Sequence, residues 1–231
     1  MKIFNLANLL TCLNLLSGCV GIVMAFQGNL EIACMAIWTG AVFDFFDGFA
    51  ARLTKTNSDM GKELDSLADV VTFGVLPAMI IFHLIAQQSS SEWLPYAAFV
   101  IAAFSALRLA KFNIDTRQSM GFIGLPTPAN AFFISSLPFV INDNIYGIGD
   151  TVSQPYFLIL VSLVFSFLLI SEIPMMALKF KNYSWKDNKA KFIFIITCLV
   201  AGVLLKVTAI PVIIIGYIVL SFFTEKKKES I

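Results

Sequence analysis

At 231 residues, 58% of them apolar and 13% charged, with a mean hydropathy of +0.83, the chain lies outside the range of water-soluble domains. That composition leaves a polytopic membrane protein, and a formal charge of +1 gives no reason to expect a nucleic-acid partner. The cysteines, Cys12, Cys19, Cys34 and Cys198, are scattered through apolar sequence without paired spacing, so they imply neither a disulfide framework nor a thiolate metal site.

Apolar windows of bilayer-crossing length are predicted near residues 9–26, 30–52, 63–86, 94–112, 127–141, 155–178, 191–206 and 209–223. The expected fold class is all-α, a polytopic membrane helix bundle of about eight transmembrane helices. It forms a single domain over 1–231, because there is no long polar insertion and no internal repeat. The window 127–141 is the weakest, being short and interrupted by Pro138, and the last two read almost as one long hairpin about Lys206 and Pro211. Met1 to Ala7 leads into the first window without a small-residue cleavage site, so no removable signal peptide is expected. Counted over this arrangement, 15 of the 16 Lys and Arg residues fall on one side, with Lys206 alone on the other. The positive-inside rule then places both termini in the cytoplasm, together with Arg52, Lys62, Arg108, Lys111, Arg117, the basic stretch 179–191 and the tail 225–228. Those last two segments read as solvated basic faces or as a surface for anionic lipid headgroups.

In the first window Asn8 and Thr11 share a helical face, with Asn14 one turn further on. Such residues either join helices through hydrogen bonds or face a ligand. The most informative stretch follows at 44–69, where Asp44, Asp47, Asp65 and Asp69 stand in sequence apolar enough to enter a bilayer. Each ionised carboxylate there costs a few kcal/mol, so four persist only if something binds or pairs with them. Steps of three and four put Asp44, Asp47, Gly48 and Ala51 on one face, and Gly61, Asp65 and Asp69 on one face of the next helix. Opposed, the two faces gather four carboxylates, a set that repels itself unless hard divalent cations, which favour oxygen ligands, lie between them. A pair of such ions bridged by carboxylates clamps a phosphoryl group during in-line displacement. Gly48, Ala51 and Gly61 leave room on the acidic face, and Arg52 offers a bidentate cation for phosphate oxygens.

Written out, Asp44-x2-Asp47-Gly48-x2-Ala51-Arg52-x8-Gly61-x3-Asp65-x3-Asp69 resembles the signature of the CDP-alcohol phosphatidyltransferase family and matches it at every fixed position. The resemblance implies an integral membrane enzyme that uses Mg2+ or Mn2+, as two divalent ions, to move a substituted phosphate from a CDP-linked lipid onto an alcohol with release of CMP. It implies that Asp44, Asp47, Asp65 and Asp69 bind metal and that Asp69 is also the general base. Gly48, Ala51, Arg52 and Gly61 would hold the CDP part, near which the family also carries residues similar to Asn8 and Thr11. A homodimer is expected on the same ground.

The acceptor is signalled downstream. The run Asp65-Ser66-Leu67-Ala68-Asp69 followed by Phe73-Gly74-x2-Pro77-Ala78, then Arg108 to Asn113 and Gly124-Leu125-Pro126-Thr127-Pro128-Ala129, resembles the members of the family whose acceptor is L-serine. The substrates expected on that resemblance are CDP-diacylglycerol and L-serine. The Gly-x-Pro-x-Pro turn prevents helix and fixes irregular backbone near the membrane surface, as a rigid loop or as a wall for a small polar ligand. Arg108, at the inner end of its window, is positioned to meet the serine carboxylate or to snorkel to water. The serine-binding set is therefore Ser66, Arg108, Asn113, Pro126 and Thr127. Glycerol 3-phosphate or an inositol phosphate is the alternative acceptor, but either would want several cations beside the acids, and the chain has few arginines. Intramembrane carboxylates also mark ion-coupled transporters, which set them near the midplane between matching halves. Here they cluster at one surface. His83, the lone histidine, lies towards the outer end of its span, too far from Asp69 to act as its base. Glu172, beside Pro174, is a further charged residue near the inner interface.

Overall fold

The computed structural model describes residues 5–54, 56, 58–119, 122–176 and 185–229. Helix α1 (Leu6–Phe26) begins where the Asn5 side chain accepts the Asn8 amide at 2.8 Å, which satisfies a donor the helix cannot reach. After a turn through Gly28, α2 (Leu30–Thr54) runs back along α1. Helix α3 (Asp59–Asp69) is capped by Ser58, whose hydroxyl accepts the Gly61 amide at 3.1 Å. It continues through a six-residue π-helix, Val70–Val75, into α4 (Leu76–Gln88). Pro77 carries no amide hydrogen for the ladder at this junction, a gap that an ordinary α-helix would leave open and that accompanies the widened turn.

Beyond a 3-10 turn at Leu94–Phe99 comes α5 (Val100–Ile114). A short strand β1 (Phe122–Ile123) leads into α6 (Thr127–Asp143), and α7 (Ile148–Val152) meets α8 (Pro155–Ile170) at an 81° bend. Strand β2 (Pro174–Met175) pairs antiparallel with β1, with Phe122 opposite Met175 and Ile123 opposite Pro174. Helices α9 (Trp185–Leu205) and α10 (Ala209–Glu229) close the chain. Lys206, left-handed at φ 51°, reverses the direction between them, and the Phe194 and Tyr217 rings meet across the hairpin at 6.1 Å.

The α3–α4 span is the axis of the bundle: 67% of its apolar window is buried, against 28% for α1 and 33% for α2. Phe73, Leu76, Ile80, Ile81 and Ile85 form the centre of the core with Ile37, Ile101, Ile134 and Leu158 around them. The outer helices turn Leu9, Leu16, Val20, Phe45, Phe49 and Phe167 outwards, an apolar exterior that only a hydrocarbon surround tolerates at this extent. The chain is thus an all-α integral membrane protein.

Among the described residues, five helical stretches are long and apolar enough to cross a bilayer, or six if α7 and α8 form one bent span. This stands below the expected eight for identifiable reasons. Helix α6 reaches 17 residues and α8 only 16, and the last two windows fall in one apolar stretch, Phe194–Phe223. Lys55, the basic stretch 179–191 and the tail 225–228 lie outside the residues whose side chains are described.

Candidate active site

Two helices, α2 and α3, turn their i, i+3/i+4 acidic faces towards each other at one end of the bundle, with α1 packed against both. One carboxylate oxygen from each of Asp44, Asp47 and Asp65 lies within 4.8 Å of the others. Asp44 and Asp65 approach closely enough to share a hydrogen bond, and Asp69 is within electrostatic reach of all three. The expected convergence of the two acidic faces is therefore present, with Asp47 and Asp69 buried and Asp44 and Asp65 half-buried.

Helix α1 supplies the neutral partners. Thr11 donates its hydroxyl to Asp47 Oδ2 at 2.7 Å, and Asn14 donates Nδ2 to Asp69 Oδ1 at 3.1 Å. Thr72, in the π-helix, donates to the Asn14 backbone carbonyl at 3.0 Å and so fixes the turn that carries Asn14. This packing needs bare backbone opposite: a Cβ at Gly40 would come 2.5 Å from Thr72 Cγ2 and 2.8 Å from Asn14 Oδ1. The role of Asn14 was legible as a polar position on the right face, whereas Thr72 gave no signal, because its partner is a backbone carbonyl reached only through the widened turn.

The four aspartates make no ion pair among the described residues, and Asp65 Oδ1 is buried with no donor. Oxygen-only donors, excess negative charge and an orphaned carboxylate oxygen fit a hard divalent cation.

Beside the acids lies a chamber of about 460 Å3, lined by Asn8, Thr11, Asp47, Gly48, Ala51, Gly61, Lys62 and Asp65 among others. Five of the six residues expected to hold CDP face it, whereas Arg52 does not line it and lies instead over Gly48, with Nη1 3.8 Å from where a Cβ would stand. Gly61 is pressed near Asn8, whose Oδ1 would lie 3.4 Å from a Cβ there.

The residues expected to bind serine fall into two groups. At the surface, Asn113 donates to Ser66 Oγ at 2.9 Å, and Lys62 donates to the Asn113 carbonyl at 2.8 Å, joining α3 to the end of α5. Deeper, Arg108 is buried over the Phe112 ring and donates Nε to the Leu125 carbonyl at 2.6 Å, next to Pro126 and Thr127. Among the described residues, Thr127 Oγ1 is buried without a partner, as are Ser105 Oγ and both amide atoms of Asn130, two residues the sequence gave no reason to single out. Gly124, at φ +77°, packs so tightly on the end of α8 that a Cβ would lie 2.5 Å from the Leu169 carbonyl. Its amide and that of Leu125 donate to the carbonyls of Ile173 and Leu168, which anchors the loop. Outside it, Glu172 pairs with Lys111 and Arg117, and Arg117 also pairs with Asp115. The Asp115 carboxyl is held down to about 2, chiefly by the Arg117 side chain. Hydrogen bonding from Lys111 likewise lowers Glu172. His83 sits at the far end of its span against Gln87.

A membrane helix bundle that clusters three aspartates beside a polar chamber, with Asp69 in electrostatic reach and neutral donors on Asp47 and Asp69, suits an enzyme of phosphate-bearing, membrane-borne substrates. The chain belongs to the CDP-alcohol phosphatidyltransferase family, whose sequence description matches residues 4–168. It is 37% identical over 145 residues to the CDP-diacylglycerol–serine O-phosphatidyltransferase of Bacillus subtilis, covering 61% of this chain and 79% of that one. The enzyme of the same name from Helicobacter pylori is 34% identical over 191 residues, covering 82% and 77% respectively. An archaetidylserine synthase of Methanothermobacter thermautotrophicus is 37% identical over 133 residues, with 57% of this chain and 56% of the other covered.

Proposed function

We propose that the chain transfers the phosphatidyl group of CDP-diacylglycerol to the hydroxyl of L-serine, giving phosphatidylserine and CMP. The observation that carries this reading is the convergence of Asp44, Asp47 and Asp65 at the chamber, in a family whose similar members are named for serine transfer. Asp44, Asp47, Asp65 and Asp69 hold the divalent ions, Mg2+ or Mn2+. When bound, these ions neutralise the diphosphate and polarise its oxygens.

The remaining chemistry belongs to the chain. The cytidine diphosphate occupies the chamber against Asn8, Thr11, Gly48, Ala51 and Gly61, with Arg52 at its edge. Asn14 holds one oxygen of Asp69, leaving the other to accept the serine hydroxyl proton. The serine oxygen attacks the phosphorus bearing diacylglycerol, the P–O bond of the diphosphate breaks, and its electron pair leaves with CMP. Arg108 faces the serine carboxylate, with Thr127 and the Pro126 turn as wall, while Ser66 and Asn113 frame the entrance. The basic side is cytoplasmic, the span count is eight, both termini lie inside and the protein works as a homodimer.

An acceptor screen with labelled CDP-diacylglycerol tests the reading. Phosphatidylserine is expected with serine and no product with glycerol 3-phosphate. Product from glycerol 3-phosphate but not from serine overturns the acceptor, and undiminished turnover after exhaustive chelation overturns the metal.

A further inference from the structure

The polar chamber has a neighbour. A second cavity, of about 480 Å3, lies across Asn8 on the other flank of α1, where that helix meets α3. Its lining is apolar apart from Asn5 and Asn8: Leu6, Leu9 and Cys12 from α1, and Met60 and Leu64 from α3. The three α1 residues recur every third position, so they form one stripe, and the two α3 residues are one turn apart. Helix α3 is thus two-faced at this point. Gly61 and Asp65 look into the polar chamber while Met60 and Leu64 line the apolar hollow.

The partition between the two spaces is thin. Asn8 borders both, and the Gly61 backbone closes on Asn8 from the other helix. Residues 6–12 rise about 9 Å along the axis of a membrane-spanning helix from its first residue, a distance that would carry a groove from the headgroups to the upper methylenes of one leaflet. Leu6 and Leu9 are more than half exposed there, at 55% and 58%, and Cys12 is exposed as well. A nucleotide or a zwitterionic amino acid finds no charged partner in the lining of such a hollow. A molecule whose diphosphate lies in the chamber and whose esterified glycerol passes Asn8 must put hydrocarbon into it.

We infer that the hollow between α1 and α3 is the seat of one acyl chain of the CDP-linked diacylglycerol donor. The inference rests on the proposed donor and adds where its tail goes. Asn8 then marks the boundary between headgroup and tail, so the donor is gripped on both sides of α1. The groove also makes the enzyme sensitive to tail length and shape along one chain.

The test uses the full-length protein in phosphatidylcholine nanodiscs and CDP-diacylglycerol carrying a diazirine midway along one acyl chain. After irradiation, peptide mass mapping is expected to find adducts on residues 6–12 and on Met60 or Leu64, suppressed by unlabelled CDP-diacylglycerol. Diazirine-labelled phosphatidylcholine should give dispersed adducts that do not respond to that competitor. Donor adducts confined to other helices overturn the inference. So do groove adducts equally strong from phosphatidylcholine and insensitive to competition, which would mark bulk lipid. Cross-linking of Cys12 to Cys12 between two copies, with no donor adducts, would mark a protein interface instead and overturn it too. As a second measurement, Leu9→Trp is expected to raise KM for a dioleoyl donor about tenfold, the effect of displacing roughly two methylenes from apolar contact. The effect should shrink as the donor's chains are shortened and leave KM for serine unmoved. An equal rise for all chain lengths overturns the groove. Because donor adducts need no acceptor, failure of serine transfer with groove adducts intact falls on the acceptor reading alone.

Discussion

The acidic end of this bundle and the region around Arg108 are built by opposite means. Around the acids, α1, α2 and α3 meet through specific side-chain bonds, Thr11 to Asp47 and Asn14 to Asp69, with glycines opposite to let the helices close. Around Arg108 the bond runs to the Leu125 main-chain carbonyl, and Ser105, Thr127 and Asn130 bury polar atoms that have no partner among the described residues. Buried polar groups are ordinarily satisfied, so an unsatisfied set next to a cation is a place where a small polar molecule completes the bonding. On the function proposed above, the contrast teaches that the half facing the nucleotide is wired in advance, whereas the half facing the alcohol is left open to be closed by its ligand.

The sharpest way to break this contrast is at Asp69. Asp69→Asn should lower phosphatidylserine formation by at least about 100-fold, the contribution of a positioned general base, with folding unchanged by thermal melting. Retained full activity removes Asp69 as the base. Asn14→Leu leaves a buried carboxylate without its donor, which costs about 1–3 kcal/mol, so a fall in kcat of about tenfold or more is expected with KM for CDP-diacylglycerol little altered. On the acceptor side, Arg108→Lys keeps the charge but loses the planar fork. A rise of about tenfold in KM for serine is expected, with the donor's KM unchanged, and an equal rise in both would move Arg108 out of the acceptor site.

The smallest effect belongs to the surface pairing of Asp115 with Arg117. A carboxyl held below its ordinary value stabilises the folded state above that value and loses the contribution as pH falls through its folded one. The pairing should therefore hold at neutral pH and loosen between about pH 4 and pH 2. Hydrogen exchange at residues 111–117 should rise in that window, and Arg117→Gln should remove the part of the pH dependence that Asp115 carries.

The acidic half was the legible half. Helical periodicity alone brings Asp44 and Asp47 to one face and Asp65 and Asp69 to another, and two faces of like charge have few reasons to exist except to meet over cations. The acceptor half was less legible because it depends on the angle between positions that no run of sequence displays. Arg108 and Asn113 are five residues apart, hence about 140° apart around the helix, and could not share one face. Asn113 accordingly binds Ser66 at the surface while Arg108 turns inwards. The reversal at Lys206 was legible as a break between two apolar windows, whereas the 81° bend between α7 and α8 leaves no mark in hydropathy.

The π-helix between Asp69 and Leu76 acts as a phase shifter. One surplus residue in a turn rotates everything beyond it by about 100°, so α4 packs against α1, α2 and α6 in a register the acidic half does not dictate. Substitutions in the core around Ile80, Ile81 and Ile85 can therefore drift without twisting the carboxylates out of alignment. Deleting a single residue from 70–75 should be worse than any point change there: it would restore a regular helix and force either the acids or the core to face the wrong way.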